Sequence, residues 1–354
     1  MKILHIAPIG HHAEGIGTVL HRLVPLQIEL GNNVQIVSVY DNKTYKDLPI
    51  FTIKDKASFE VYIHRWRPDI VQFHSMYQME YIPFSKVLIK ENIPYIAQMH
   101  GALSEVNYKK NHWKKVVANI LWWNSFLKNS KRIVYLNNAE YEKCIVKRIN
   151  SNSLFIPNGC DQPENINVER NVNRDIDIIF IGRISYVHKG LDVLSEALHL
   201  LKKRKSSGFH ISFFGNEDDT HVEWLKQQLE DVSELASFEG GLYGTKKDNR
   251  MRTCNMFILT SRYEGMPMGI LEAFSYAVPC IVTPGSNMAE EISRSSAGWV
   301  CELSAESIAD TIERACIEYR KNPQMYHTNA CNEAAFYNWN QIAKKSIEEL
   351  SKLI

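Results

Sequence analysis

Apolar runs too short for helices alternate with longer amphipathic stretches along the whole chain. Runs at residues 2–8, 33–40, 70–74, 95–100, 132–136 and 154–157 predict strands in the first half. Runs at 176–182, 210–215, 236–239, 256–260 and 280–283 predict them in the second. Strand–helix alternation of this kind predicts an α/β fold of parallel sheets covered on both faces. The polar, turn-rich residues 158–167 separate the two sets and read as a linker. The expected architecture is two doubly wound, Rossmann-like domains facing a cleft, residues 1–165 and 166–335.

Composition changes this picture little. A length of 354 residues fits two domains, and 45% hydrophobic with 23% charged residues is ordinary for a water-soluble chain. Seven scattered cysteines without a Cys-x-x-Cys pair argue against zinc or a disulfide framework and fit a reducing cytosol. Met1 to Pro8 is too interrupted for a signal peptide, and no apolar run approaches the roughly 20 residues of a spanning helix. Charge is uneven. Residues 1–165 carry 20 basic and 14 acidic side chains, and residues 166–354 carry 21 and 26. A first half at +6 is expected to face an anionic surface.

The clearest chemistry lies in Tyr263-Glu264-Gly265-Met266-Pro267-Met268-Gly269-Ile270-Leu271-Glu272, a Glu-x7-Glu spacing that opens in a loop and closes in a helix. It follows a buried strand, and open α/β sheets bind ligands beyond the carboxyl ends of their strands. Gly265 and Gly269 admit a ligand close to the backbone, and Pro267 stiffens the turn. The helix start at Gly269 aims free N–H groups and a positive dipole end at an anion. Arg183 and Lys189 follow another strand and precede a helix, a second arrangement suited to a diphosphate. Gly15-Ile16-Gly17 offers backbone N–H groups to a phosphate, but Leu20 stands where a dinucleotide fingerprint needs a small residue. His100 ends a strand and could donate to a sugar or phosphate oxygen, or shuttle a proton. Asp175-Ile176-Asp177 opens a strand, away from the expected cleft, and Glu217-Asp218-Asp219 reads as a solvated loop, so no metal site is expected.

Residues 108–132 hold seven basic side chains, and residues 106–139 hold no acidic one. Lys109, Lys110, Lys114 and Lys115 lie among Trp113, Trp122 and Trp123. Such a helix either rests on an anionic bilayer or buries its tryptophans in a core. Nothing else in the chain supports nucleic-acid binding.

Together these residues resemble the retaining GT-B glycosyltransferases of family 4. Tyr263 to Pro267 with Leu271-Glu272-Ala273 is similar to the family's Glu-x7-Glu signature. Arg183 and Lys189 match its phosphate-binding pair, Gly15-Ile16-Gly17 its N-domain glycine loop, and His100-Gly101 its active-site histidine. Glu14 replaces a glycine common there, and Gly240-Gly241-Leu242 aligns loosely with the turn that contacts the base. The tail Trp339-Asn340-Gln341-Ile342-Ala343 resembles the last helix, so residues 336–354 are expected to return to the N-terminal domain.

The resemblance implies a nucleotide diphosphate sugar as co-substrate, with UDP favoured over GDP, and no cofactor or metal. The catalytic candidates are Glu264, His100, Arg183 and Lys189. Glu272 is expected on the ribose, the Met266, Pro267, Met268 and Gly269 backbone on sugar and β-phosphate, and Leu242 near the base. The acceptor is expected to be a saccharide, lipid-linked, in surface polysaccharide assembly of the O-antigen or capsule type. The protein would then be cytoplasmic and peripheral on the inner membrane face. A nucleotide-sugar epimerase of the same fold, or a non-enzymatic nucleotide-sugar-binding assembly protein, are the alternatives.

Overall fold

The computed structural model describes residues 1–10, 14–42, 44–102, 112–145, 147–163, 166, 170–216, 218 and 221–354. The chain divides into two compact units. One holds Met1–Gly159 with Trp339–Ile354, and the other holds Cys160–Asn338.

The first unit is a seven-stranded sheet of order β3-β2-β1-β4-β5-β6-β7. Its strands are β1 (Lys2–Ala7), β2 (Asn33–Ser38), β3 (Ile50–Thr52), β4 (Ile70–His74), β5 (Tyr95–Gln98), β6 (Ile133–Tyr135) and β7 (Ser153–Phe155), all paired in parallel. Ile3, Leu4 and Ile6 of β1 point to alternate faces, yet all are fully buried. That is the mark of a sheet covered by helices on both sides. The helix Trp339–Ser351 packs against the helix Glu14–Glu29, where Gln27 Nε2 donates to Ser346 Oγ at 3.0 Å.

The second unit is a six-stranded parallel sheet of order β10-β9-β8-β11-β12-β13. Its strands are β8 (Ile176–Ile181), β9 (Phe209–Phe214), β10 (Ala236–Phe238), β11 (Met256–Leu259), β12 (Cys280–Val282) and β13 (Gly298–Val300). Ile176, Ile178, Ile179 and Phe180 are fully buried, each worth roughly 1.5–3 kcal/mol of transfer free energy. The helix Leu191–Lys203 buries Leu191, Leu194, Leu198 and Leu201 at helical spacing and places Asp192 at its positive end, with Lys202 and Lys203 at its negative end.

Two strands are absent from the sequence expectation. Both β3 and β13 are three-residue edge strands, too short for a periodic signal. Between β8 and the helix Leu191–Lys203 lies a further helical turn, Tyr186–Lys189.

Candidate functional site

The second sheet reverses its strand order between β8 and β11, and doubly wound sheets bind ligands at such a switch point. The loops leaving these two strand ends are tied together. Thr260 Oγ1 donates to Lys189 O at 3.1 Å, and Arg262 N donates to His188 O at 3.0 Å. Arg262 also forks onto Asp192, at 2.7 Å to each carboxylate oxygen. Asn287, in the left-handed conformation after Pro284–Ser286, donates to Glu264 O at 2.6 Å and Gly265 O at 3.1 Å.

This frame brings Arg183, His188, Lys189 and Glu264 together. Lys189 Nζ donates to Glu264 Oε1 at 2.6 Å, and Ser261 Oγ donates to the same oxygen at 2.6 Å. Burial pushes the Glu264 carboxyl up. The Lys189 ammonium and the hydrogen bonds from Lys189 and Ser261 outweigh it, so the carboxyl lies below its ordinary value. Glu264 Oε2 has no hydrogen-bond partner among the described residues, so one oxygen anchors the side chain and the other can accept. His188 Nε2 lies 2.8 Å from Tyr263 O and must donate, which leaves Nδ1 to accept from Arg183 Nη2 at 3.0 Å. Burial lowers the His188 pKa, and Lys189 and Arg183 lower it further against the pull of Glu264. A neutral His188 therefore positions the exposed Arg183 beside Lys189.

The helix Met268–Ser275 begins at the end of the same loop, with Pro267 in extended conformation at its N-cap. The N–H groups of Met268 and Gly269 have no partner among the described residues, whereas Ile270 N donates to Pro267 O at 3.1 Å. Met266 and Pro267 are buried beneath this turn, and Gly265 is half-buried. Glu272 pairs with a different cation from Glu264. Its oxygens accept from Lys247 at 2.9 and 3.0 Å, a partner absent from the sequence expectation. Leu242 is half-buried on the coil after β10, where Gly215 N donates to Gly240 O at 3.0 Å.

In the first unit, Gly15 and Gly17 lie in the first turn of the helix Glu14–Glu29. A Cβ on Gly15 would meet nothing within 4 Å, whereas one on Gly17 would lie 2.5 Å from the Tyr45 ring. His100 follows β5 at φ +48°, in the left-handed region, and Gly101 N donates to Glu140 Oε1 at 2.5 Å. Glu140 Oε2 accepts from Leu136 N at 2.6 Å, so one buried carboxylate pins the turn that carries His100. Burial pushes the Glu140 carboxyl up to about 7 despite these two bonds.

His100 ends a buried chain of side chains. His100 Nε2 lies 3.0 Å from His74 Nδ1, His74 Nε2 lies 2.9 Å from His5 Nδ1, and His5 Nε2 lies 2.9 Å from Gln27 Oε1. The strand order puts β1, β4 and β5 side by side, which is why residues so distant in sequence meet. Burial lowers the pKa of all three histidines, with His5 and His100 at about 4.

A pH prediction follows. Between pH 6.5 and about 4 the unfolded chain takes up a proton at His5 that the folded chain refuses. Stability therefore falls on acidification, by about 3 kcal/mol for His5. Glu140 acts in the opposite sense between pH 4.5 and about 7, because its folded form keeps a proton the unfolded form releases. One carboxyl against three histidines leaves net loss at low pH. Urea unfolding of the first unit should show a lower midpoint at pH 5 than at pH 6.5, and His5→Gln should flatten that slope. A midpoint that holds or rises would contradict the sign.

The basic, tryptophan-bearing stretch forms the helix His112–Ala118, a π-helical turn Asn119–Trp123 and the helix Asn124–Asn129. Trp123 is only 1% exposed and packs edge-on against Tyr77 and Phe126 in the core of the first unit. Its expected place on a membrane-facing surface is therefore corrected. Trp113, Val117, Ile120, Leu121 and Trp122 are exposed, as is Lys114, and Lys115 Nζ sits 5.4 Å over the Tyr77 ring. Lys109 and Lys110 lie outside the described residues.

Comparison with known proteins adds to this geometry. Residues 13–162 match the family described as Glycosyltransferase Family 4, and residues 161–332 match Glycosyl transferases group 1. HepE of Anabaena, solved with UDP, superposes with a TM-score of 0.77 at 18% identity over 100% of both chains. The lipopolysaccharide outer core galactosyltransferase WaaB superposes with a TM-score of 0.77 at 15% identity, again over 100% of both chains. Mannosylfructose-phosphate synthase of Agrobacterium fabrum is 23% identical over 176 residues, 48% of this chain and 38% of that protein. The chain thus spans well under half the length of that curated relative. Both units, the two matched families and the fold of the solved structures agree: the chain belongs to the GT-B glycosyltransferases of family 4.

Proposed function

We propose that this glycosyltransferase moves a sugar, with retention of configuration and without a metal, from a UDP-sugar to a lipid-linked saccharide in surface polysaccharide assembly. The observation that carries the reading is the half-committed Glu264 at the β8/β11 switch point. Lys189 and Ser261 hold Oε1, while Oε2 and the Met268 and Gly269 N–H groups have no partner among the described residues.

In this reading Arg183 and Lys189 take the diphosphate. An ammonium has three donors, so Lys189 can serve a phosphate without releasing Glu264. Glu264 Oε2 accepts from a sugar hydroxyl, Glu272 from the ribose, and the Met266 to Gly269 backbone faces the sugar and β-phosphate. Leu242 lies toward the base. By the family resemblance, Gly15 and Gly17 are assigned to donor binding and His100 to the acceptor. The leaving diphosphate gains charge as the sugar becomes oxocarbenium-like, and fixed cations with helix N–H groups stabilise that charge without reorganising. The acceptor attacks from the face the diphosphate leaves, and the departing phosphate helps deprotonate it. The UDP and UDP-glucose complexes of HepE support uridine.

A thermal-shift panel of UDP, GDP, ADP and their sugars tests the donor. UDP compounds should stabilise the wild type and lose that effect in Arg183→Ala. Stabilisation by GDP alone would overturn the base assignment. A changed sugar released without acceptor would favour an epimerase, and binding without any transfer would favour an assembly protein.

The exposed apolar face of Trp113, Val117, Ile120 and Leu121, beside Lys114, supports attachment to the anionic inner face of the cell membrane. Liposome flotation should show binding that depends on anionic lipid and weakens in Trp113→Ala with Ile120→Asn. Flotation independent of lipid charge or of these residues would refute the attachment.

A further inference from the structure

The histidine chain behind His100 admits two polarities. Each link joins two groups that can either donate or accept, so all the protons could point toward His100 or all away from it. Gln27 and Ser346 break the tie. Ser346 Oγ donates to Ala343 O at 2.8 Å, and it must then accept from Gln27 Nε2 at 3.0 Å. Gln27 Oε1 consequently faces His5 and accepts from His5 Nε2–H. His5 Nδ1 is left bare and accepts from His74 Nε2–H, and His74 Nδ1 accepts from His100 Nε2–H. Nδ1 of His100 ends the chain without a proton and without a partner among the described residues.

We infer that Ser346, Gln27, His5 and His74 form a positioning chain that fixes the tautomer of His100, so that its Nδ1 presents a lone pair and acts as an acceptor for a hydroxyl. No group changes charge, and each ring keeps one proton throughout. The chain runs from the helix Trp339–Ser351 through the buried faces of β1 and β4 to the turn after β5. That gives the terminal helix a second role: its serine sets a hydrogen-bond direction at a side chain in the turn after β5. The burial that keeps all three rings neutral makes the arrangement stable near neutral pH. Donation by His100 to a sugar or phosphate oxygen, one of the roles read from the sequence, requires the opposite tautomer.

The inference rests on His100 belonging to the proposed site, but its primary readout does not need transfer. Nitrogen-15 NMR of the full-length protein, with ring signals assigned by single substitutions, reports which nitrogen of each histidine carries the proton. His100 and His74 should show protonated Nε2 and bare Nδ1. Ser346→Ala removes the acceptor of the Gln27 amide, lets that amide turn over, and should move the His100 proton to Nδ1. If transfer is present, His74→Phe should lower kcat by about 10- to 100-fold, the range seen when a partner that orients a histidine is lost. His74→Gln should restore most of the rate, because its carbonyl can accept from His100 while its amide donates to His5. A protonated Nδ1 on His100 in the wild type, or a tautomer indifferent to Ser346→Ala, would overturn the chain. Absence of transfer with the expected tautomers would count against the functional reading and not against the chain.

Discussion

Replacing Lys189 by alanine should lower kcat/KM for sugar transfer by about 100-fold or more, near 3 kcal/mol of transition-state stabilisation. Two effects combine. The diphosphate loses a fixed cation, and Glu264 loses the charge that offsets its burial. With Lys189 present, its ammonium and hydrogen bond outweigh the burial that pushes the carboxyl up. Without it, burial dominates and Glu264 protonates at higher pH, so Oε2 accepts less well from a sugar hydroxyl. The pH profile separates the effects. In Lys189→Ala the residual rate should climb as pH rises through the shifted Glu264 pKa, yet stay well below wild type, because the missing cation does not return. Initial rates across pH on both proteins would show this. A variant with near wild-type rate at every pH would remove Lys189 from the site.

Gly190→Ala should be strongly damaging, because the added methyl has no room. Gly190 has φ +66°, and a Cβ there would lie 2.1 Å from Thr260 O and 3.2 Å from Leu303 Cδ1. The left-handed backbone alone costs a non-glycine residue about 1 kcal/mol. The clash with a backbone carbonyl adds more, because Thr260 directly follows β11 and its backbone cannot swing aside as a side chain would. Total destabilisation of about 2–4 kcal/mol is expected. The damage also reaches chemistry. The two loops meet at this contact, and parting them breaks the 2.6 Å bond between Lys189 and Glu264. Urea unfolding and steady-state kinetics should therefore fail together. Gly15→Ala is the control, since its added methyl meets nothing within 4 Å and alanine favours a helix. It should leave stability intact. Equal stability for wild type and Gly190→Ala would show that the loops are not wedged together.

What could be read from the chain follows from where the signal resides. Central strands such as β1, β4, β8 and β11 are buried on both faces, and their largely apolar runs announced them. The edge strands β3 and β13 have a solvent side and three residues each, so packing and not pattern defines them. Glu264, Lys189 and Arg183 stood out because each sits just past a recognisable strand, and the adjacency of β8 and β11 brings them together. His188 and Ser261 lie one and three residues from those positions, yet their roles depend on hydrogen bonds between loops that no spacing encodes. Lys247 reaches Glu272 from a helix that follows β10, in a segment with no chemical signature. His5 carried a weak signal, a polar ring inside an apolar run, but its partners His74 and His100 become neighbours only through the order β1-β4-β5. Trp122 and Trp123 are adjacent in sequence and opposite in fate, because successive residues of a helical turn point in different directions and only Trp123 faces the core.

Hydrogen exchange on the wild-type protein with and without a UDP-sugar tests the central claim most directly, since it locates the donor without assuming an activity. Slowed exchange is expected at residues 182–190 and 260–272, with the Met268 and Gly269 amides most affected, and it should vanish in Arg183→Ala. Protection confined to other segments, or none at saturating UDP-sugar, would contradict a donor site at the β8/β11 switch point.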